Sequence, residues 1–191
     1  MKYAFYPGCV SQGGAPELYP AAQMICQRLG IELEEIRAWT CCGAGVMQEK
    51  NQLFADTLNA RTLAKAEQLG MTIMTICSTC QGVMGQANKR MQDPGYLAEI
   101  NSYLAEEGLE YKGAAEIKHL LWILIEDYGL ENLSPYITRS LGNLRIAPFY
   151  GCYIVRPTEA LGIEEHPERQ TSLETLIETI GAVLVDFAGK T

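Results

Sequence analysis

Long apolar runs are missing from this sequence. The most apolar stretch, Leu120-Leu121-Trp122-Ile123-Leu124-Ile125, is six residues long, far short of the ~20 that cross a bilayer, so no membrane span is expected. The N-terminal "MKYAFYPGC" has one lysine and no extended apolar region, which argues against a secretory leader and makes a reducing cytoplasm the expected setting. Positive charge is scarce as well. Fifteen basic residues stand against 23 acidic ones, a net charge of −8 with no basic cluster. That balance argues against a nucleic acid partner, because phosphate backbones are held by concentrated Lys and Arg. Histidine is nearly absent: His119 and His166 have no ligand-like spacing to each other or to any cysteine, and both are read as structural or surface residues. Charge runs are few, and with 48% hydrophobic residues over 191 positions the chain has material for a sizeable core.

Cysteine, by contrast, is plentiful. The seven are Cys9, Cys26, Cys41, Cys42, Cys77, Cys80 and Cys152, an odd number in a chain too large to depend on disulfides, which points to metal or redox chemistry. Cys41 and Cys42 are adjacent, in "WTCCGAG". Neighbouring Cα atoms lie about 3.8 Å apart, whereas bridged cysteines need roughly 4.4–6.8 Å, so this pair is not an ordinary disulfide.

Short apolar runs alternate with longer segments of helical period, the pattern of an α/β fold with a mainly parallel sheet flanked by helices. Tyr3–Tyr6, Ile31–Ile36, Met71–Ile76 and Leu144–Phe149 read as strands. Helices are expected from about Pro16 to Gly30, over 51–69, from Cys77 to about Gln92, and around 94–107 and 119–128. Cys9, Cys41, Cys42, Cys77 and Cys80 all follow candidate strands, directly or at the end of a short loop. In parallel sheets ligands collect beyond the carboxyl ends of the strands, so five sulfurs from three loops are expected at one site there. Cys26 falls on the apolar face of a helix and reads as a buried, inert thiol.

Thiolates crowded together repel one another, and a cation relieves this. Soft sulfur selects zinc, copper(I) or iron–sulfur centres. Cys77-x-x-Cys80 offers two sulfurs on the first turn of a helix, where the dipole favours thiolate. Gly8, Gly43 and Gly45 allow close backbone approach, with amides free to donate to sulfur. Structural zinc is satisfied by four ligands, and five are on offer here. Number alone does not name the metal, because four cysteines also suffice for a cubane. Two competing readings are weaker. A metal-free thioredoxin-type dithiol normally follows the first strand of its fold, and this CxxC follows a third. Gly43-Ala44-Gly45 is half a dinucleotide fingerprint, but Gln48 stands where the third glycine belongs.

Written out, Cys9-x31-Cys41-Cys42-Gly43-x33-Cys77-x2-Cys80 resembles the CCG cysteine-rich domain of the disulfide-splitting subunit of heterodisulfide reductase and of the related subunit of type E succinate dehydrogenases and thiol:fumarate reductases. Glycolate oxidase and lactate-utilisation iron–sulfur subunits carry relatives of it. The resemblance covers residues 1–80, and "YAFYPGC" and "CSTC" are family-like too. The 34 residues between Cys42 and Cys77 are slightly fewer than the family's usual spacing. The resemblance implies a non-cubane [4Fe-4S] cluster held by Cys9, Cys41, Cys42, Cys77 and Cys80, or zinc in this first site, as in some relatives. It also implies an oxidoreductase subunit that splits a disulfide or passes electrons, partnered by iron–sulfur or flavin subunits. A structural zinc module that holds partners together is the alternative function.

The family pairs two such domains, and an internal repeat fits this. "YPGC" at 6–9 returns as "FYGC" at 149–152, and "LGIELEEI" at 29–36 returns as "IGAVLVDF" at 180–187. The expected organisation is therefore a first metal-binding domain over 1–145 and the start of a second, cut short, over 146–191. Aligning Gly30 with Gly181 sets Thr40 on Thr191, just ahead of where a second Cys-Cys pair belongs. Cys152 is then a ligand only in a complete second site, and this chain alone is expected to lack turnover.

Overall fold

The computed structural model describes residues 1–190; the expected match of Thr40 to Thr191 lies outside them. Four parallel strands form the main sheet: β1 (Lys2–Tyr6), β2 (Glu32–Glu35), β3 (Ile73–Thr75) and β4 (Ile117–His119), in the order β2-β1-β3-β4. β1 lies in the interior, with Ala4 opposite Ile73 and Lys2 opposite Glu32. Its sequence explains the place: Tyr3, Ala4, Phe5 and Tyr6 are all buried, and a strand covered on both faces reads as a continuous apolar run. β2, at an edge, carries Glu32, Glu34 and Glu35, charges that discourage further strand pairing.

Helices cover both faces. α1 (Leu18–Arg28) returns the chain from β1 to β2 on one side, where Tyr3, Phe5 and Met74 pack with Ala22, Cys26, Ile123 and Leu124. On the other side Ala4, Tyr6 and Ile73 pack with α2 (Gln52–Leu69), α3 (Ser78–Arg90) and α4 (Pro94–Leu104), through Ala60, Leu63, Val83, Met84, Ile100 and Leu104. Alternate residues of each strand thus serve opposite layers. Asn51 begins α2 by accepting the Phe54 N–H at 3.0 Å, and Asp93 begins α4 by accepting that of Tyr96 at 2.7 Å, with Pro94 in the first turn. The fully buried Asp56 ties these helices together, accepting from Arg90 twice at 2.7 Å and from Tyr96 at 2.9 Å.

A second parallel pair, β5 (Arg145–Ile146) and β6 (Val183–Leu184), flanks α5 (Ser172–Thr179). This unit docks on α3, where Tyr153 presses on Gly82, and Ala160 and Leu161 on Gly85. It is latched by Arg169, which donates twice to Glu126 at 2.6 and 2.9 Å, donates to the Leu161 carbonyl at 2.6 Å, and stacks 4.1 Å over Trp122.

Two expectations change. The helix expected around 119–128 starts with a strand residue, His119, and continues as the short helix Leu120–Trp122 and the wide π-type turns Ile123–Tyr128. The strand expected over 144–149 pairs only at Arg145–Ile146.

Candidate metal centre

Three loops leave the carboxyl ends of β1, β2 and β3. The first, Pro7-Gly8-Cys9, turns through Gly8 at φ +76°, and a side chain there would stand 3.2 Å from Cys80 Sγ. Glycine is thus required twice, by the left-handed backbone and by the nearby sulfur. The second loop carries Cys41 and Cys42. Gly43, at φ +75°, turns it back, and a Cβ there would meet Met47 at 3.1 Å. The third carries Cys77 and Cys80 into α3. Cys77 is the residue ahead of the helix, and its sulfur accepts the Cys80 N–H at 3.3 Å; a thiol does the work usually given to Ser or Asp.

These loops bring the five sulfurs into a string. Cys9 Sγ lies 3.6 Å from Cys41 Sγ, and Cys42 Sγ 3.5 Å from Cys80 Sγ. Cys41 and Cys42 are chain neighbours, and Cys77 Sγ accepts the Cys80 N–H, so the order is Cys9, Cys41, Cys42, Cys80, Cys77. Cys9 and Cys41 are exposed, Cys77 half-buried, and Cys42 and Cys80 buried. All are free thiols. Among the described residues no three of these sulfurs lie within 4.8 Å of one another. A single tetrahedral zinc, with Zn–S of about 2.3 Å, asks four sulfurs to sit mutually about 3.8 Å apart. The string is more extended than that.

Protonation follows the same geometry. The Cys80 hydrogen bond, aided by backbone amides of Cys80 and Thr79, draws the Cys77 thiol down to about 6. Cys42 is also held below the ordinary range by Cys80, with the Ala44 amide assisting. Cys80, crowded by the Cys42 and Cys77 sulfurs and buried, is pushed strongly up. Burial raises Cys41 to about 11 against the pull of the Gly43 amide. A soft, five-thiol donor set with backbone amides aimed at sulfur fits an iron–sulfur group.

Cys26 lies apart from the string, 1% exposed beneath the sheet, 3.9 Å from Met74 Sδ, its thiol raised to about 11 by burial. Cys152 is exposed on the loop after Tyr150, in the second unit. His119 accepts the Leu121 N–H at 3.1 Å through Nδ1 and so has a structural task. Sequence reasoning misses Tyr6, whose hydroxyl donates to the Thr40 carbonyl at 2.8 Å, and Asn59, whose amide donates to the Cys42 carbonyl at 3.0 Å. No spacing signal reveals contacts between such distant positions.

A parallel α/β scaffold with thiols gathered beyond the carboxyl ends of its strands presents a donor set suited to metal or redox chemistry. More specifically, residues 3–85 match the CCG cysteine-rich domain, and nearly the whole length of the chain is homologous to oxidoreductase subunits. It is 39% identical over 186 residues to the 8-methylmenaquinol:fumarate reductase membrane anchor subunit of Wolinella succinogenes, covering 97% of this chain and 64% of that protein. It is 31% identical over 191 residues to a subunit of the ferredoxin/F(420)H(2)-dependent CoB-CoM heterodisulfide reductase of Methanosarcina acetivorans, covering 99% of this chain and 63% of that one. The chain thus spans slightly less than two thirds of the length of these relatives. A crystal structure described as a hypothetical protein from Helicobacter pylori shares the fold, with a TM-score of 0.70 at 13% identity over 99% of this chain and 33% of its own. Among the described residues no helix is long and apolar enough to cross a membrane.

Proposed function

We propose that this chain is the electron-transfer and catalytic iron–sulfur subunit of a heterodisulfide reductase-like or succinate/fumarate oxidoreductase complex in a reducing cytoplasm. The string of five thiols in the CCG spacing carries this reading. Cys9, Cys41, Cys42, Cys77 and Cys80 would hold a non-cubane [4Fe-4S] cluster. That group, when bound, supplies one-electron chemistry toward a disulfide or an electron carrier. The protein's share is to hold five sulfurs from three loops, to aim the amides of Gly43, Ala44, Thr79 and Cys80 at them, and to bury Cys42 and Cys80 while leaving Cys9 and Cys41 exposed. Amide-to-sulfur hydrogen bonds raise the reduction potential of such centres. Iron–sulfur or flavin subunits of the same complex are the proposed electron partners.

Residues 1–145 are proposed as the first metal-binding domain and 146–191 as the start of a second of the same plan. The repeated strand, Gly-Cys turn, helix and strand supports this division. Zinc held by four of the five thiols is the second reading, and the extended string favours it less. Anaerobic purification followed by iron, acid-labile sulfide and zinc analysis separates the two. Iron and sulfide near four each per chain, with broad visible absorbance, is the expected result. Stoichiometric zinc without sulfide would overturn it.

A further inference from the structure

The peptide that carries the two adjacent cysteines is gripped on both sides by side chains from outside its own loop. Ahead of Cys41, the Thr40 carbonyl accepts from the Tyr6 hydroxyl at 2.8 Å. At its far end, the Cys42 carbonyl accepts from Asn59 Nδ2 at 3.0 Å. Both donors are sunk in the core, Tyr6 and Asn59 each 1% exposed, and both belong to regular elements: Tyr6 ends β1, and Asn59 lies inside α2. Neither identity is the one packing alone selects. Asn is a poor residue for a helix interior, and a buried amide is costly unless bonded. Asn59 spends its second N–H on the Ala55 carbonyl at 2.8 Å, which fixes its rotamer. Tyr6 is braced by Trp39, edge to face at 5.2 Å. Thr40 adds a third tie through its own hydroxyl, which donates to the Leu58 carbonyl at 3.1 Å.

We infer that Tyr6 and Asn59 are positioning residues that clamp the carbonyls flanking the Cys-Cys peptide, so that both sulfurs and the amides of Gly43 and Ala44 face the centre together. Adjacent side chains on an extended strand point to opposite sides, so two neighbouring cysteines face one site only if the peptide between and after them is held off that geometry. Carbonyls 40 and 42 are the handles by which the fold does so. With the Cys42 carbonyl released, the Cys42–Gly43 peptide is free to rotate, and the Gly43 amide that faces Cys41 Sγ turns with it. This inference rests on the metal-centre reading for its role and on the two hydrogen bonds for its geometry.

The test therefore has two arms, using the full chain with Tyr6→Phe and Asn59→Leu, which remove the donors and keep most of the volume. In the first arm, metal-free reduced protein is treated with iodoacetamide and labelling of Cys42 is compared with that of Cys26, a buried thiol remote from the loop. Loss of one hydrogen bond should raise Cys42 labelling about fivefold with Cys26 unchanged. Unchanged Cys42 labelling, or Cys26 rising in step, would overturn the clamp. In the second arm, iron-loaded proteins are compared by paramagnetic resonance and redox titration. Variants that keep full iron should show shifted g values and a lower midpoint potential, and wild-type values in both would overturn the inference. If the wild type binds no iron, the iron–sulfur reading falls, while the labelling arm still decides on the clamp.

Discussion

The four-stranded region and the two-stranded region repeat one plan with unequal results. In each, a strand is followed by a Gly-Cys turn, a helix returns the chain, and a glycine with positive φ leads to a parallel partner strand: Gly8, Cys9, α1, Gly30 and β2 in the first, and, after an irregular stretch beyond Ile146, Gly151, Cys152, α5, Gly181 and β6 in the second. Yet Cys9 has another cysteine sulfur 3.6 Å away, whereas Cys152 stands exposed and forms no such contact among the described residues. A Gly-Cys turn at a strand end presents one sulfur. A centre arises only when neighbouring strands deliver theirs beside it, as β2 and β3 do.

The largest expected effect breaks that comparison at the sulfurs. Cys41→Ser or Cys80→Ser should abolish or transform the metal signal measured by iron, sulfide and visible absorbance, while Cys26→Ser and Cys152→Ser leave it intact; equal effects would contradict the ligand assignment. Next in size is the latch between the regions. Arg169→Ala strands the nearly buried Glu126 without its bidentate partner and removes the stacking on Trp122, a loss of about 3 kcal/mol by analogy with broken buried pairs. Hydrogen exchange should quicken across 145–190 and stay slow in β1 and β3. A smaller effect is expected of Gly8→Ala, about 1–2 kcal/mol from the left-handed backbone, together with reduced metal occupancy because the new methyl crowds Cys80. Thermal melting and metal analysis of the same sample separate the two contributions.

The smallest effect is a dependence on acid. Burial would push Glu126 up, but its bonds to Arg169 and Lys118 prevail and hold it below the usual range. A carboxyl depressed in the folded state contributes stability above its unfolded value of about 4.3 and loses it as pH falls toward the folded value. Docking of the second region should therefore be constant from neutral pH to about 5 and weaken below about 4, as followed by hydrogen exchange at α5. Constant protection down to pH 3 would show that the latch does not depend on this carboxylate.

What is legible in the sequence follows from range. β1 and β3 are readable because continuous apolar runs bounded by turns need no context, and α2 because its helical pattern ends at Gly70. The cysteine convergence is readable because strand ends in a parallel sheet share one edge. β4 is not: it is three residues long, and Lys118 in its middle is admitted only because Glu116, Glu126 and Asp127 surround it. The run Leu120–Ile125 looks like ordinary helix, and its widened turns arise from packing on both the sheet and the second region. Tyr6 and Asn59 are unreadable as clamps for the same reason, since their partners lie in a different loop.

The strand order has a consequence for the nascent chain. β1 is synthesised first but sits inside the sheet, and it remains half-paired until β3 follows, well after β2. At roughly 5–20 residues per second, Cys9 emerges several seconds ahead of Cys80. During that interval Cys9, Cys41 and Cys42 are thiols without their site, open to stray oxidants and adventitious metals. A parallel sheet closed by distant segments is also slow to form. The proposed cluster would therefore be loaded only on a chain that has passed Cys80, late in its biogenesis.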